Sequence, residues 1–192
     1  RCLGRDADGV ADLLDDFVSG MREGGLSVTL KTFPGIGNVS ADVTESIAEN
    51  TDSLMTIRDT NFVPYASGIQ AGADCVMVSN VAYSKLTVKK VPAFMSQDIV
   101  TKLLREELGF DGIVMTSPLN DNVIENNYTN EFAVVEAVKA GCDLIVLPGI
   151  FKECYEALIT AVEEGRIDEK VINTSVRRIL QNKIQKGILV LE

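Results

Sequence analysis

Histidine is missing from all 192 residues, which removes the commonest general acid or base before any motif is considered. Clustered positive charge is missing as well. With a formal charge of −10 and no run of Lys or Arg, the chain offers phosphates nothing to bind, so a nucleic-acid or anionic-membrane surface is excluded. No apolar stretch approaches the roughly 20 residues of a membrane-spanning helix, and no charged-then-apolar leader opens the chain. Membrane insertion is therefore not expected. The chain begins at Arg1 rather than Met, as a processed or excised segment would. Cysteine is sparse: Cys2, Cys75, Cys142 and Cys154 lack the close pairing of a zinc or redox motif and are expected as buried free thiols. Such thiols favour a reducing compartment, with export left open by the start at Arg1. Without histidine, and with no ligand-spaced acids, neither a metal site nor a cofactor is expected. Only five prolines occur, no segment is low in complexity, and no Gly/Ser/Pro linker divides the chain. Residues 1–192 are expected to form a single domain.

Against these absences stands a composition of 46% hydrophobic and 24% charged residues, ample for one core. Val10, Leu13, Leu14, Phe17, Val18 and Met21 recur at helical spacing, and Gly24 and Gly25 stop the helix over 7–23. A strand is predicted over 26–33, closed by Pro34 and Gly35. The polar, non-periodic stretch 36–60 reads as a long loop with at most one helical turn. A helix over 62–71 leads to a strand over 74–81, then to a second loop carrying Lys85, Lys89, Lys90 and Pro92. Ser96 is positioned to cap a helix over 97–108, and Gly112 to Thr116 follow as a short buried strand. Beyond it are a helix over 131–140, a strand over 142–147, a Pro148–Gly149 turn, and helices over 151–164 and 168–186.

Four apolar strands alternating with helices predict an α/β fold of parallel βαβ units with right-handed crossovers. Two architectures accept this pattern: an open doubly wound sheet, or part of a closed eight-stranded barrel, which as a whole typically needs about 250 residues. In either, the strand C-terminal ends at 31–38, 79–83, 116–121 and 148–150 share the ligand-binding edge. Gly35 and Gly37 are read as turn formers, since Gly-x-Gly alone is a weak phosphate signature.

Several ordered motifs resemble a known family. Lys31 to Asn38, KTFPGIGN, resembles the KHFPGHGD signature of family 3 glycoside hydrolases, in particular their bacterial β-N-acetylglucosaminidase (β-hexosaminidase) branch. Ala73 to Asn80 resembles the family's next strand, which ordinarily ends in His. Pro92 to Ser96, Leu103 to Arg105 and Gly109 to Gly112 match the approach to the nucleophile strand. Ala140 to Leu144 and Ser175 to Leu180 match the last strand and final helix, and Arg1 to Gly4 resembles the RSFG-type run ahead of the signature. The resemblance covers nearly the whole chain and implies the later half of a TIM (β/α)8-like barrel. Such a half exposes sheet edges and apolar interior. Completion by a missing N-terminal half-barrel, or self-association, is the partnership this implies.

Enzymes of this kind retain configuration: a carboxylate attacks the anomeric carbon while a proton donor about 5 Å away serves the leaving group. By the resemblance, the nucleophile position is held here by Ser117, with Pro118 in place of the neighbouring Asp. The acid/base loop corresponds to Gly37 to Thr44, where Asp42 survives and Thr44 stands in place of His. No catalytic residue is assigned, because a serine needs a base to take its proton and none is evident. Lys31 matches a substrate-binding lysine, although a solvated strand end explains it equally well. Arg1 matches a substrate-contacting arginine, against which stands a frayed terminus. Thr32, Ile36 and Asn80 replace histidines, with Thr32 kept as a candidate substrate contact. Asp121, Glu125, Asp42 and Glu45 are spare acids, but catalysis does not tolerate displacement by several ångströms. The expected function is a catalytically silent β-N-acetylhexosaminidase-like domain with a carbohydrate or cell-wall-fragment ligand. The alternatives are an active hydrolase completed by N-terminal groups, and a structural half-barrel that binds no small ligand.

Overall fold

The structure is a computed structural model that describes residues 3–37, 39 and 47–190. Helix α1 (Ala7–Glu23) is started by Asp6, whose carboxylate accepts from Gly9 N at 2.8 Å, and it ends where Gly25 takes φ +78°. Strand β1 (Thr29–Phe33) follows. Three residues of the expected strand, from Leu26 on, do not join it, because Leu26 N is taken by Met21 O in the closing turn of α1.

The polar stretch expected as loop holds more structure than its sequence showed. It contains β2 (Glu49–Asn50) and helix α2 (Leu54–Thr60), capped by the Ser53 side chain. Ile57 is the only buried residue of α2, so no apolar stripe announces it; the Arg58–Glu107 ion pair at 2.6 Å fastens it from outside. Helix α3 (Phe62–Gln70) and strand β3 (Cys75–Val78) lead to a short β4 (Ala82–Tyr83), which pairs in parallel with β2. The second expected loop thus contributes β4 and a 3-10 turn at Ala93–Met95.

The next helix, Asp98–Glu107, is wound in π-register. Ser96 does not cap it by its side chain: the entry residue is Gln97, and Ser96 contributes its carbonyl to Ile99 N and Val100 N. Strand β5 (Ile113–Thr116), the short helix α4 (Asn122–Glu125), α5 (Asn130–Ala140), α6 (Phe151–Glu163) and α7 (Glu169–Gln185) complete the order. The expected fourth strand reduces to a single parallel bridge, Met115 to Leu144. Segment 142–147 still runs beside β5, but Val146 N donates to the Thr116 hydroxyl at 3.1 Å instead of to a carbonyl.

The main sheet is parallel with order β1-β3-β5, and 142–147 lies next to β5. Spatial order therefore follows chain order. A doubly wound sheet reverses its order at a switch point, and the described strands show no reversal, as in an arc of a barrel. Among the described residues the arc stays open. Leu30 faces the helical layer: a Cβ on Gly68 of α3 would meet its Cδ1 at 2.8 Å. Alternation then turns Lys31 to the opposite face, in a row with Met77, Met115 and Leu144. A closed barrel turns that face inward.

The strand N-terminal ends are tied to α7 by two acids. Asp143, its side chain 0% exposed, pairs with Arg105 at 2.6 Å and Arg178 at 3.2 Å and accepts from Val114 N at 2.9 Å. Asp74 accepts from Val28 N at 2.9 Å and Asn182 Nδ2 at 3.1 Å, and pairs with Lys186 at 3.1 Å. Burial lowers the Arg105 pKa, and the Asp143 carboxylate opposes that shift.

Cys75, Cys142 and Cys154 are free and buried, and burial pushes all three thiols up. Since the thiolate is the reactive form, alkylation by iodoacetamide at mildly alkaline pH, followed by peptide mass spectrometry, is expected to label these three only after unfolding. Asp143→Ala strands two guanidinium groups and is expected to cost about 3 to 5 kcal/mol, read from urea unfolding curves.

Candidate functional site

The end of β1 turns sharply. The Lys31–Thr32 and Phe33–Pro34 peptides are cis, and Gly35 and Gly37 take φ +106° and +63°. Three side chains fix the turn through its carbonyls. Asn61 Nδ2 donates to Pro34 O at 2.9 Å, Asn50 Nδ2 to Ile36 O at 3.0 Å, and the Tyr83 hydroxyl to Gly35 O at 2.8 Å. The approach is too close for side chains on the turn: a Cβ on Gly35 would collide with Asn61 Nδ2, and one on Gly37 would lie 2.5 Å from Asn50 Nδ2. Burial pushes the Tyr83 phenol well up, against a hydrogen bond with Ser79 that lowers it. It therefore remains a proton donor to the turn.

The ends of β3 and β5 are polar yet closed. Ser79, Asn80, Thr116 and Ser117 are all buried, and the hydroxyls of Ser79, Thr116 and Ser117 are engaged with backbone. Val81 N donates to Ser79 Oγ at 2.9 Å, and Thr116 Oγ1 accepts from Val146 N. Ser117 Oγ donates to Val78 O at 2.8 Å, while Ser117 N donates to the same carbonyl at 2.9 Å. With 4% exposure and its proton directed at a carbonyl, this hydroxyl is held as a cross-strand tie. Farther along, Asp121 Oδ2 accepts from Asn80 Nδ2 at 3.3 Å, joining the end of β3 to the loop after β5.

The residues singled out from the sequence are thus distributed unevenly. Lys31 is exposed on the open face of β1, and Thr32, half-buried, gives its carbonyl to Gly35 N at 2.8 Å. Ser117 lies at the end of β5 in the same arc of strand ends. Arg1, Asp42 and Thr44 lie outside the described residues. Sequence reasoning missed Asn50, Asn61 and Tyr83, which carry no motif; their role exists only because the chain folds them onto one turn. The Asn80–Asp121 contact was equally invisible, although each residue was noted separately. Among the described residues, no group of three or more Cys, Asp or Glu is arranged to hold a metal ion.

Comparison with known proteins agrees with this geometry. The model of the glycosyl hydrolase family 3 N terminal domain matches residues 1–182. A β-hexosaminidase of Xylella fastidiosa (strain M23) is 33% identical over 147 residues, 77% of this chain and 43% of the relative. A solved glycoside hydrolase family 3 β-N-acetylglucosaminidase from Paenibacillus sp. str. FPU-7 superposes with a TM-score of 0.92 at 33% identity, covering 98% of this chain and 38% of that one. The β-N-acetylhexosaminidase of Beutenbergia cavernae DSM 12333 gives 0.84 at 31% identity, covering 96% and 54%. The chain therefore spans about half or less of the length of these relatives. With parallel strands in barrel order, a signature turn built at the end of β1 and a family match over 182 residues, the chain belongs to glycoside hydrolase family 3, on its β-hexosaminidase-like side.

Proposed function

We propose that this is a non-hydrolytic member of the family, a β-N-acetylhexosaminidase-like domain that keeps a carbohydrate or cell-wall-fragment site without the means to cleave. The observation that carries this reading is Ser117 Oγ donating to Val78 O at 2.8 Å. Glycoside cleavage with retention needs an ionised carboxylate free to attack. A buried neutral hydroxyl whose proton is given to a carbonyl carries no charge with which to attack, and these 192 residues hold no histidine to take its proton. Loss of nucleophile and proton donor together removes many powers of ten in rate. Lys31 supports retention of binding: exposed on the face a barrel turns inward, it is placed to donate to sugar hydroxyls, with Thr32 beside it. Arg1 is the third candidate contact.

A second reading, as an assembly half-barrel, is favoured by exposed apolar faces on three helices. Leu13 and Phe17 lie outward on α1, Phe151, Tyr155 and Ile159 on α6, and Val176, Leu180 and Ile184 on α7. Spaced four residues apart, each set forms one stripe. The complementary half of a family barrel would cover such stripes, as would a second copy.

No release of nitrophenol from an aryl β-N-acetylglucosaminide above a buffer blank is expected, from the chain alone or extended to full family length. Turnover that Ser117→Ala or Asp121→Asn abolishes would overturn the silent reading. By light scattering, a monodisperse monomer at micromolar concentration that binds no hydrophobic dye would dismiss the assembly reading.

A further inference from the structure

Between the loop after β4 and helix α5 lies a cleft of about 330 Å³, at the low end of the range for small-molecule sites. Val91, Met95 and Ala140 give it an apolar wall, which Phe132 extends toward solvent. The Phe132 ring is stacked on Tyr128 with centroids 5.8 Å apart, so this wall is fixed by the protein itself. Ser96 also lines the cleft and is only 6% exposed. Its carbonyl accepts from Ile99 N and Val100 N, and its N–H donates to Ala93 O, but its hydroxyl is bonded to none of the described residues. A polar group so placed is one that a ligand or water completes. The acids of the cleft are already neutralised, Glu136 by Lys139 and Asp98 by Lys102, each at 2.7 Å. Lys89 has no such partner among the described residues. It belongs to a stretch, residues 75–97, that holds three lysines and no acid in a chain of formal charge −10.

We propose that this cleft binds a small amphipathic carboxylate, an acid with an aromatic or branched body. The apolar body lies against Val91, Met95 and Phe132, where its removal from water supplies most of the affinity. The carboxylate accepts from the Ser96 hydroxyl and pairs with Lys89. A bond from a hydroxyl to an ionised acceptor is the stronger kind, and a carboxylate has lone pairs enough for both donors. With the other charges of the cleft already paired, Lys89 leaves the site selective for a single negative charge. The inference is independent of the carbohydrate reading, because Lys31, Thr32 and Ser117 are not among the residues that line this cleft.

The test is an NMR titration of the chain, isotope-labelled at its methionine methyls, with hydrocinnamate as the probe. Of the five methionines, Met21, Met55, Met77, Met95 and Met115, it is Met95 that lines the cleft. Its methyl signal is expected to shift saturably while those of Met77 and Met115, on the open strand face, stay in place. Hydrocinnamamide, the same body without the charge, is expected to bind wild type at least about fivefold more weakly, a comparison that needs no substitution. Lys89→Gln and Ser96→Ala are each expected to weaken binding of the acid at least about threefold, with the spectra of the unliganded variants reporting that the fold is kept. A Met95 methyl unmoved up to about 10 mM acid, or a shift at Met77 or Met115 in its stead, overturns the site. Amide binding within about twofold of the acid, or acid binding that neither variant weakens, overturns the recognition of a carboxylate.

Discussion

One buried carboxylate governs how the arc holds together. Asp143 is fully enclosed between Arg105 and Arg178 and also accepts the backbone N–H of Val114. A charge removed from water is tolerated only when its lone pairs are filled, and here two guanidinium groups and an amide fill them. Because the three partners come from the π-wound helix, α7 and β5, their common acceptor fixes those elements at one point. Asp74 repeats the device one strand earlier, taking Val28 N from the segment leading into β1 together with Asn182 and Lys186 of α7. Helix α7 is in this way anchored at the N-terminal ends of successive strands. The register that aligns Lys31, Met77 and Met115 is held from that end.

The opposite ends of the same strands are polar, buried and bonded internally. Here the hydroxyls of Ser79, Thr116 and Ser117 are bonded to neighbouring backbone. Each such bond removes a buried polar group from the list of those needing a ligand or water, and adds a cross-strand tie. The turn after β1 is fixed with equal thoroughness by Asn50, Asn61 and Tyr83.

Polarity is also unevenly distributed around the periphery. Apolar side chains stand outward on α1, α6 and α7, while Phe151 and Tyr155 stack on each other at 6.2 Å between ring centroids. Helix α1 precedes the first strand of the arc and α6 follows its last segment, 142–147, while α7 runs across the strand N-terminal ends. The interior face carries only a partly covered row in Met77, Met115 and Leu144. An arc of this kind is stable where its own layers meet and unfinished at its two edges.

Much of this was readable in advance, for identifiable reasons. Helix α1 was legible to the residue because its apolar positions recur every three to four places and glycines end it, and β3, β5 and α5 were legible because buried parallel strands and their crossover helices are apolar in blocks. Helix α2 and strands β2 and β4 were not, since a short element fastened by a cap and an ion pair leaves no periodic trace. The sequence alone determined that the strands are parallel, that their C-terminal ends share one edge, and that histidine is absent while a serine, Ser117, follows Thr116 at the end of β5. Only the tertiary structure decided that strand order is progressive rather than reversed, that the Ser117 proton is spent on Val78, and that Asp121 meets Asn80. Composition and local spacing act within a few residues, whereas these three depend on hydrogen bonds between segments that approach one another only when the whole sheet has formed.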